Sequence, residues 1–175
     1  MSVRITGGAL CGRVLPGKVA AGVRPTSARV REALFSILGQ DLSGWAVLDA
    51  FGGSGLMGFE ALSRGAERLV TLEPARAAAN GIRDAAAALG LSVDLRVARF
   101  PGAIRPGERF DLVFLDPPYD VEPTEFLRAA LGFSRGVVVL ETTAKRVIRC
   151  EATLRKHRVY GDTALHIFEA PEQPA

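Results

Sequence analysis

The chain is short of the residues that tie small proteins together by chemistry instead of packing. Cys11 and Cys150 are its only cysteines in 175 residues, with no metal-type or redox spacing between them, so a disulfide scaffold and a zinc site are both unexpected. Each reads as a small side chain without chemistry of its own. His157 and His166 are the only histidines and read as ordinary surface or edge residues. No apolar run approaches the length of a bilayer, and the opening MSVRITGGAL lacks the apolar core of a signal peptide. These absences lead to the expectation of a cytoplasmic protein with no membrane and no metal. With no coiled-coil seam or other symmetric device, a monomer is expected.

Acidic residues are missing from one end. None precedes Glu32, whereas Arg4, Arg13, Lys18, Arg24, Arg29 and Arg31 all fall there. A second basic group, Lys145, Arg146, Arg149, Arg155, Lys156 and Arg158, lies near the other end and is diluted only by Glu151. The net charge is only +3, so placement matters more than total. Two basic ends suit a polyanion such as RNA, because lysine and arginine release condensed counterions from phosphates.

What remains is ordinary core-forming material, 48% hydrophobic, enough for one domain. Residues 1–25 show no sustained helical period and read as a basic arm or hairpin, and 26–175 as the domain proper. In TSARVREALFSIL, Val30, Ala33, Leu34, Ile37 and Leu38 share one helix face, with Thr26 or Ser27 as cap and Gly39 as stop. From Trp45, short apolar runs alternate with helical segments: WAVLDA, RLVTLE, SVDLRVA, FDLVFLD and GVVVLET read as strands. Strands that are apolar throughout and separated by helices predict an α/β fold, a doubly wound and mostly parallel sheet. Residues 151–159 and 164–169 flank a turn and predict an antiparallel pair at the sheet edge.

A glycine-rich turn joins the first strand to its helix. Gly53, Gly55 and Gly58 spell G-x-G-x-x-G, and Glu73 follows Gly53 by 20 positions, a pattern shared by proteins that bind nucleoside-bearing cofactors. Asp49, at the end of the first strand, separates the candidates. A carboxylate there would repel the pyrophosphate of a dinucleotide but would attract the amino group and sulfonium of S-adenosylmethionine. Glu73 would then accept hydrogen bonds from the ribose.

Asp116-Pro117-Pro118-Tyr119 follows the fourth strand at the same edge of the sheet. The lone pair of an exocyclic amine on a base is delocalised into the ring. Two acceptors aimed at its hydrogens, the Asp116 carboxylate and the Pro117 carbonyl, would turn that lone pair toward a methyl donor. The consecutive prolines restrict the backbone that carries both acceptors, and Tyr119 offers a flat face for an unstacked base. Asp116 is also a candidate to take the released proton.

With these residues assembled, the chain resembles the RsmD family of bacterial enzymes that methylate a guanine N2 amino group in 16S ribosomal RNA. The resemblance runs through Arg4-Ile5-Thr6-Gly7-Gly8, Gly12-Arg13, Arg24-Pro25-Thr26, Arg29 to Phe35, Asp49 to Gly58, Glu60 to Ala66, Asp116 to Tyr119 and Tyr160 to Thr163. It implies that Asp49, Gly53, Gly55 and Glu73, with Phe51 and Ser54 of the same loop, bind S-adenosylmethionine. It implies further that Asp116 to Tyr119 hold the target amine, and that Arg4, Arg13, Arg24, Thr26, Arg29 and Arg31 face RNA. The implied partner is 16S ribosomal RNA or the small ribosomal subunit. The chain departs from the family pattern at Ala28, at Pro74 and at Ala98-Arg99-Phe100, which lacks an adenine-contacting aspartate; Arg99 and Phe100 are expected to contact the adenine instead. Three alternatives stay open: a DNA adenine-N6 methyltransferase, an NAD-dependent oxidoreductase, and an RNA-binding scaffold without catalysis.

Overall fold

A computed structural model of the chain describes residues 3–16 and 26–171; Lys18, Arg24 and Pro25, named above, lie outside the described residues. Helix α1 (Ala28–Leu38) starts where Ser27 caps the backbone N–H of Val30, and it stops at Gly39, whose φ of 108° few other residues adopt. The chain then alternates as the apolar runs predict: β1 (Ala46–Asp49), α2 (Leu56–Ser63), β2 (Arg68–Leu72), α3 (Arg76–Leu89), β3 (Asp94–Arg96) and β4 (Phe110–Leu115). The rest comprises α4 (Thr124–Phe133), β5 (Ser134–Thr143), β6 (Leu154–Tyr160) and β7 (Thr163–Glu169).

The seven strands form one sheet in the order β3-β2-β1-β4-β5-β7-β6. The first five neighbours are parallel, and β7 runs antiparallel between β5 and the edge strand β6. Alternate residues of each strand serve opposite faces. Val47, Leu69, Leu112, Val137 and Val139 pack with Val30, Leu34 and Phe35 of α1, while Leu48, Val70, Val113 and Val138 pack with Leu127, Ala130 and Leu131 of α4. A sheet covered on both sides explains why its central strands contain so few polar residues.

The chain winds outward from β1 to β3 and then returns to place β4 on the other side of β1. A crevice therefore opens at the carboxyl ends of β1 and β4, the usual ligand position in such sheets. The described part of the arm folds back on itself through one antiparallel bridge, Arg4 to Val14. Its Ile5 and Leu15 pack on Leu56 and Phe59 of α2 and on Ile82 of α3. Among the described residues, no helix is long and apolar enough to cross a membrane.

Candidate active site

Four carboxylates meet at the carboxyl edge of the sheet because four parallel strands end there. Asp49 closes β1, Glu73 follows β2, Asp116 follows β4, and Glu141 lies in β5 one position beyond Leu140, the register partner of Leu115. A cleft of about 660 Å³ opens over this edge, lined by Phe51, Gly53, Glu73, Pro74, Arg99, Phe100, Asp116 to Tyr119, Val121 and Phe126. Beneath it a small cavity of about 60 Å³ is walled by Thr26, Asp49, Ser54, Asp116 and Glu141, and shares Phe51, Gly53 and Asp116 with the cleft.

The glycine turn is held tightly from behind. Gly52 donates to the Leu72 carbonyl at 2.8 Å, and a Cβ at this position would stand 2.6 Å from Thr71 Cγ2. Glu73 accepts from the backbone N–H groups of Gly53 at 2.9 Å and Ala75 at 2.7 Å, one on each oxygen. Each oxygen keeps a second lone pair for a hydroxyl. Nothing in the sequence singles out Gly52 among the loop glycines; its close approach to β2 is visible only in three dimensions.

Loss of water without gain of a cation governs the electrostatics. Desolvation pushes the Asp49 carboxyl up to about 6, against the opposing pull of the Phe51 and Gly58 backbone N–H groups and with a further push from the Glu73 charge. Its Oδ2 is buried with no hydrogen-bond partner. Asp116 is exposed toward the cleft and also lines the small cavity, near Asp49 and Glu141. It is pushed up to about 8, by desolvation first and then by the charges of Glu141 and Asp49. A positively charged ligand satisfies both groups. The donor set therefore fits S-adenosylmethionine: Asp49 and Glu73 can take its amino group and ribose, and Phe51, Pro74 and Phe100 offer apolar walls for a purine. Phe100 is clustered with Phe51, Phe126 and Phe133 at centroid distances of 6.2 to 6.3 Å, so its ring is fixed before any ligand arrives.

The Asp116–Tyr119 turn is anchored from a different part of the chain. Arg146 donates to the Tyr119 carbonyl at 2.7 Å and to Glu122 at 3.0 Å. The Tyr119 side chain remains 48% exposed at the cleft mouth, beside the loop that carries Arg146. Lys145, Val147 and Arg149 are also exposed on this loop.

A family model described as "Conserved hypothetical protein 95" matches residues 3–169. "Ribosomal RNA small subunit methyltransferase D" of Escherichia coli K12 is 30% identical over 181 residues, covering 98% of this chain and 91% of the relative. The protein of the same name in Haemophilus influenzae is 38% identical over 123 residues, covering 67% of this chain and 64% of that relative. A solved structure of a hypothetical protein from Thermus thermophilus superposes with a TM-score of 0.83 at 32% identity, covering 94% of this chain and 98% of the other. The chain belongs to the RsmD family.

For an RsmD-family chain, two of the residues expected to face RNA stand elsewhere. Arg31 is only 2% exposed. Its guanidinium donates to Glu60 Oε1 at 2.8 Å, to the Arg4 carbonyl at 2.6 Å and to the Thr26 carbonyl. Thr26 is buried as well, its hydroxyl donating to Glu141 Oε2 at 2.8 Å. Arg31 is internal because Glu60, at the centre of α2, is a buried acid that needs a cation. Arg64 and the backbone and hydroxyl of Thr6 also converge on it. Arg4, Arg13 and Arg29 do lie on the surface. His166 is not the surface or edge residue expected of it. It is buried, stacks on His157 at 4.7 Å and shares a 3.0 Å hydrogen bond with Thr142, and burial followed by the His157 charge holds its pKa down to about 4. Glu60 and Glu141, the acids that organise both interiors, carry no local signal in the sequence.

Proposed function

We propose that this RsmD-family protein is an S-adenosylmethionine-dependent methyltransferase acting on the exocyclic N2 amino group of a guanine in 16S ribosomal RNA. The observation that carries the reading is the pair Asp49 and Asp116, two carboxylates raised by desolvation where the small cavity meets the aromatic-walled cleft, with no cation of the protein paired to either among the described residues. The same carboxylates would oppose the pyrophosphate of a dinucleotide. The names of the Escherichia coli and Haemophilus influenzae relatives support ribosomal RNA as the substrate.

When bound, S-adenosylmethionine supplies a methyl group activated by the adjoining positive sulfur. The protein's part is placement. Asp49 and Glu73 hold the cofactor's polar groups, with Gly53, Ser54 and Gly55 forming the turn around them and Arg99 and Phe100 lining the far wall. Asp116 and the Pro117 carbonyl accept from the target amine and direct its lone pair, Pro118 stiffens the turn, and Tyr119 stacks on the extruded base. The exposed Arg4, Arg13, Arg29, Lys145 and Arg149 contact phosphates of the RNA. The protein works in the cytoplasm as a monomer on the small subunit or its RNA, without a metal.

Transfer of a labelled methyl group to small-subunit RNA and to assembled particles lacking the modification tests this, with the nucleoside identified by mass spectrometry. N2-methylguanosine formed by the wild type and lost in Asp116→Ala is the expected result. Labelled N6-methyladenine in DNA, or cofactor binding with no transfer to either ribosomal substrate, would overturn it.

A further inference from the structure

Glu141 is the one of the four acids with no part in the proposal above, yet it too is buried and held by a hydrogen bond. It sits in register beside Asp116, one position beyond the Leu115–Leu140 pair of β4 and β5. It walls the small cavity together with Asp49 and Asp116. It is 9% exposed and takes the Thr26 hydroxyl at 2.8 Å. Thr26 is itself fixed, because its carbonyl accepts from Arg31, which is bound to Glu60. A chain of contacts running from α2 through α1 to β5 thus holds one carboxylate against the side chain that faces the target amine.

We propose that Glu141 is a positioning residue of the reaction, held by Thr26 beside Asp116 so that its negative charge directs the proton released from the substrate nitrogen onto the Asp116 carboxylate. The inference rests on the methyltransferase reading. As the nitrogen–carbon bond forms, the electron pair of the broken sulfur–carbon bond stays on sulfur, and the nitrogen carries one proton in excess. That proton needs an acceptor in a cleft that substrate and cofactor close, and an isolated aspartate is too weak a base near neutral pH. A second carboxylate at close range raises its proton affinity, as in other paired acids. The charged and titratable groups that line the cleft and cavity with Asp116 are Asp49 from β1, Glu73 after β2, Arg99 and Tyr119 on the cleft wall and Glu141 from β5; Glu141 is the larger of the two charges that push it up to about 8.

Two measurements on Glu141→Gln, an isosteric change, test this. In the free protein, carbon-detected NMR follows the Asp116 carboxyl. Its midpoint is expected to fall by about one pH unit, the scale of a close like-charge pair, and by less in Thr26→Val, where the carboxylate remains but loses the hydroxyl that holds it in place. In the methylation assay, the acid limb of kcat/KM moves down with that midpoint while the high-pH plateau drops, so the two profiles cross. An unmoved midpoint and limb, with a rate reduced equally at every pH, would leave Glu141 a structural residue and overturn the proposal. Absence of transfer by the wild type defeats the methyltransferase reading instead, and the titration still reports separately on the Glu141–Asp116 coupling.

Discussion

Two groups of desolvated acids lie in this molecule, and they are handled in opposite ways. Glu60 is fully buried and surrounded by donors, with Arg31 on one oxygen, Arg64 on the other and Thr6 across both. At the carboxyl edge of the sheet, Asp49 is just as deep and Asp116 opens into the cleft, yet among the described residues neither forms an ion pair. The same side-chain chemistry thus appears once as a finished internal joint and once as negative potential left for something outside the protein. Supplying a cation to each cleft acid would relieve the cost of an uncompensated charge and remove the attraction for a positively charged ligand.

The contrast breaks most visibly at Glu60. Glu60→Ala leaves two guanidiniums buried without their acid, and urea unfolding should show a loss of about 3 to 5 kcal/mol. Asp116→Asn is the converse experiment. Methyl transfer should fall about 100- to 1,000-fold, while the melting temperature of the free protein at pH 8 rises, because a charge crowded by two other acids has been removed. A third test is pH itself. Asp49 and Asp116 are raised above the ordinary aspartate value, to about 6 and about 8, so between about pH 4 and pH 8 the folded state binds more protons than the unfolded one. Their contribution to stability is therefore lost as pH rises through that window. His166, held down to about 4, acts in the other direction, since its contribution is lost as pH falls below the ordinary histidine value. Calorimetry from pH 6.5 to 8 should show the wild type losing stability and Asp116→Asn following a flatter course. The smallest effect is expected at the rim, where Lys145→Ala and Arg149→Ala should each reduce the salt dependence of RNA affinity by roughly one phosphate contact.

The legibility of the sequence follows the same division. The sheet is readable because a strand buried on both faces must be apolar throughout, and VLDAF or LVFLD can hardly be anything else. Asp49, Glu73 and Asp116 are readable because each directly follows such a run. Glu141 ends a similar run, but it continues into Thr142 and Thr143 without a turn, so nothing in the local sequence marks it as facing inward. Glu60 lies on a helix where a surface acid is the ordinary expectation. Its partners Arg31 and Thr6 stand 29 and 54 positions away. Arg31 and Thr26 mislead for the related reason that charge and polarity in a sequence do not reveal which way a side chain turns.

The long reach of the Glu60 joint also sets an order of events during synthesis. The arm is translated first, but Glu60 and Arg64, which clasp Thr6, emerge more than fifty residues later. Until Glu60 is made, Thr6 and Arg31 lack the acid that joins them in the folded protein. Glu141, the last of the four acids at the sheet edge, comes later still, so the residues of the arm's joint are all made before the full set of carboxylates.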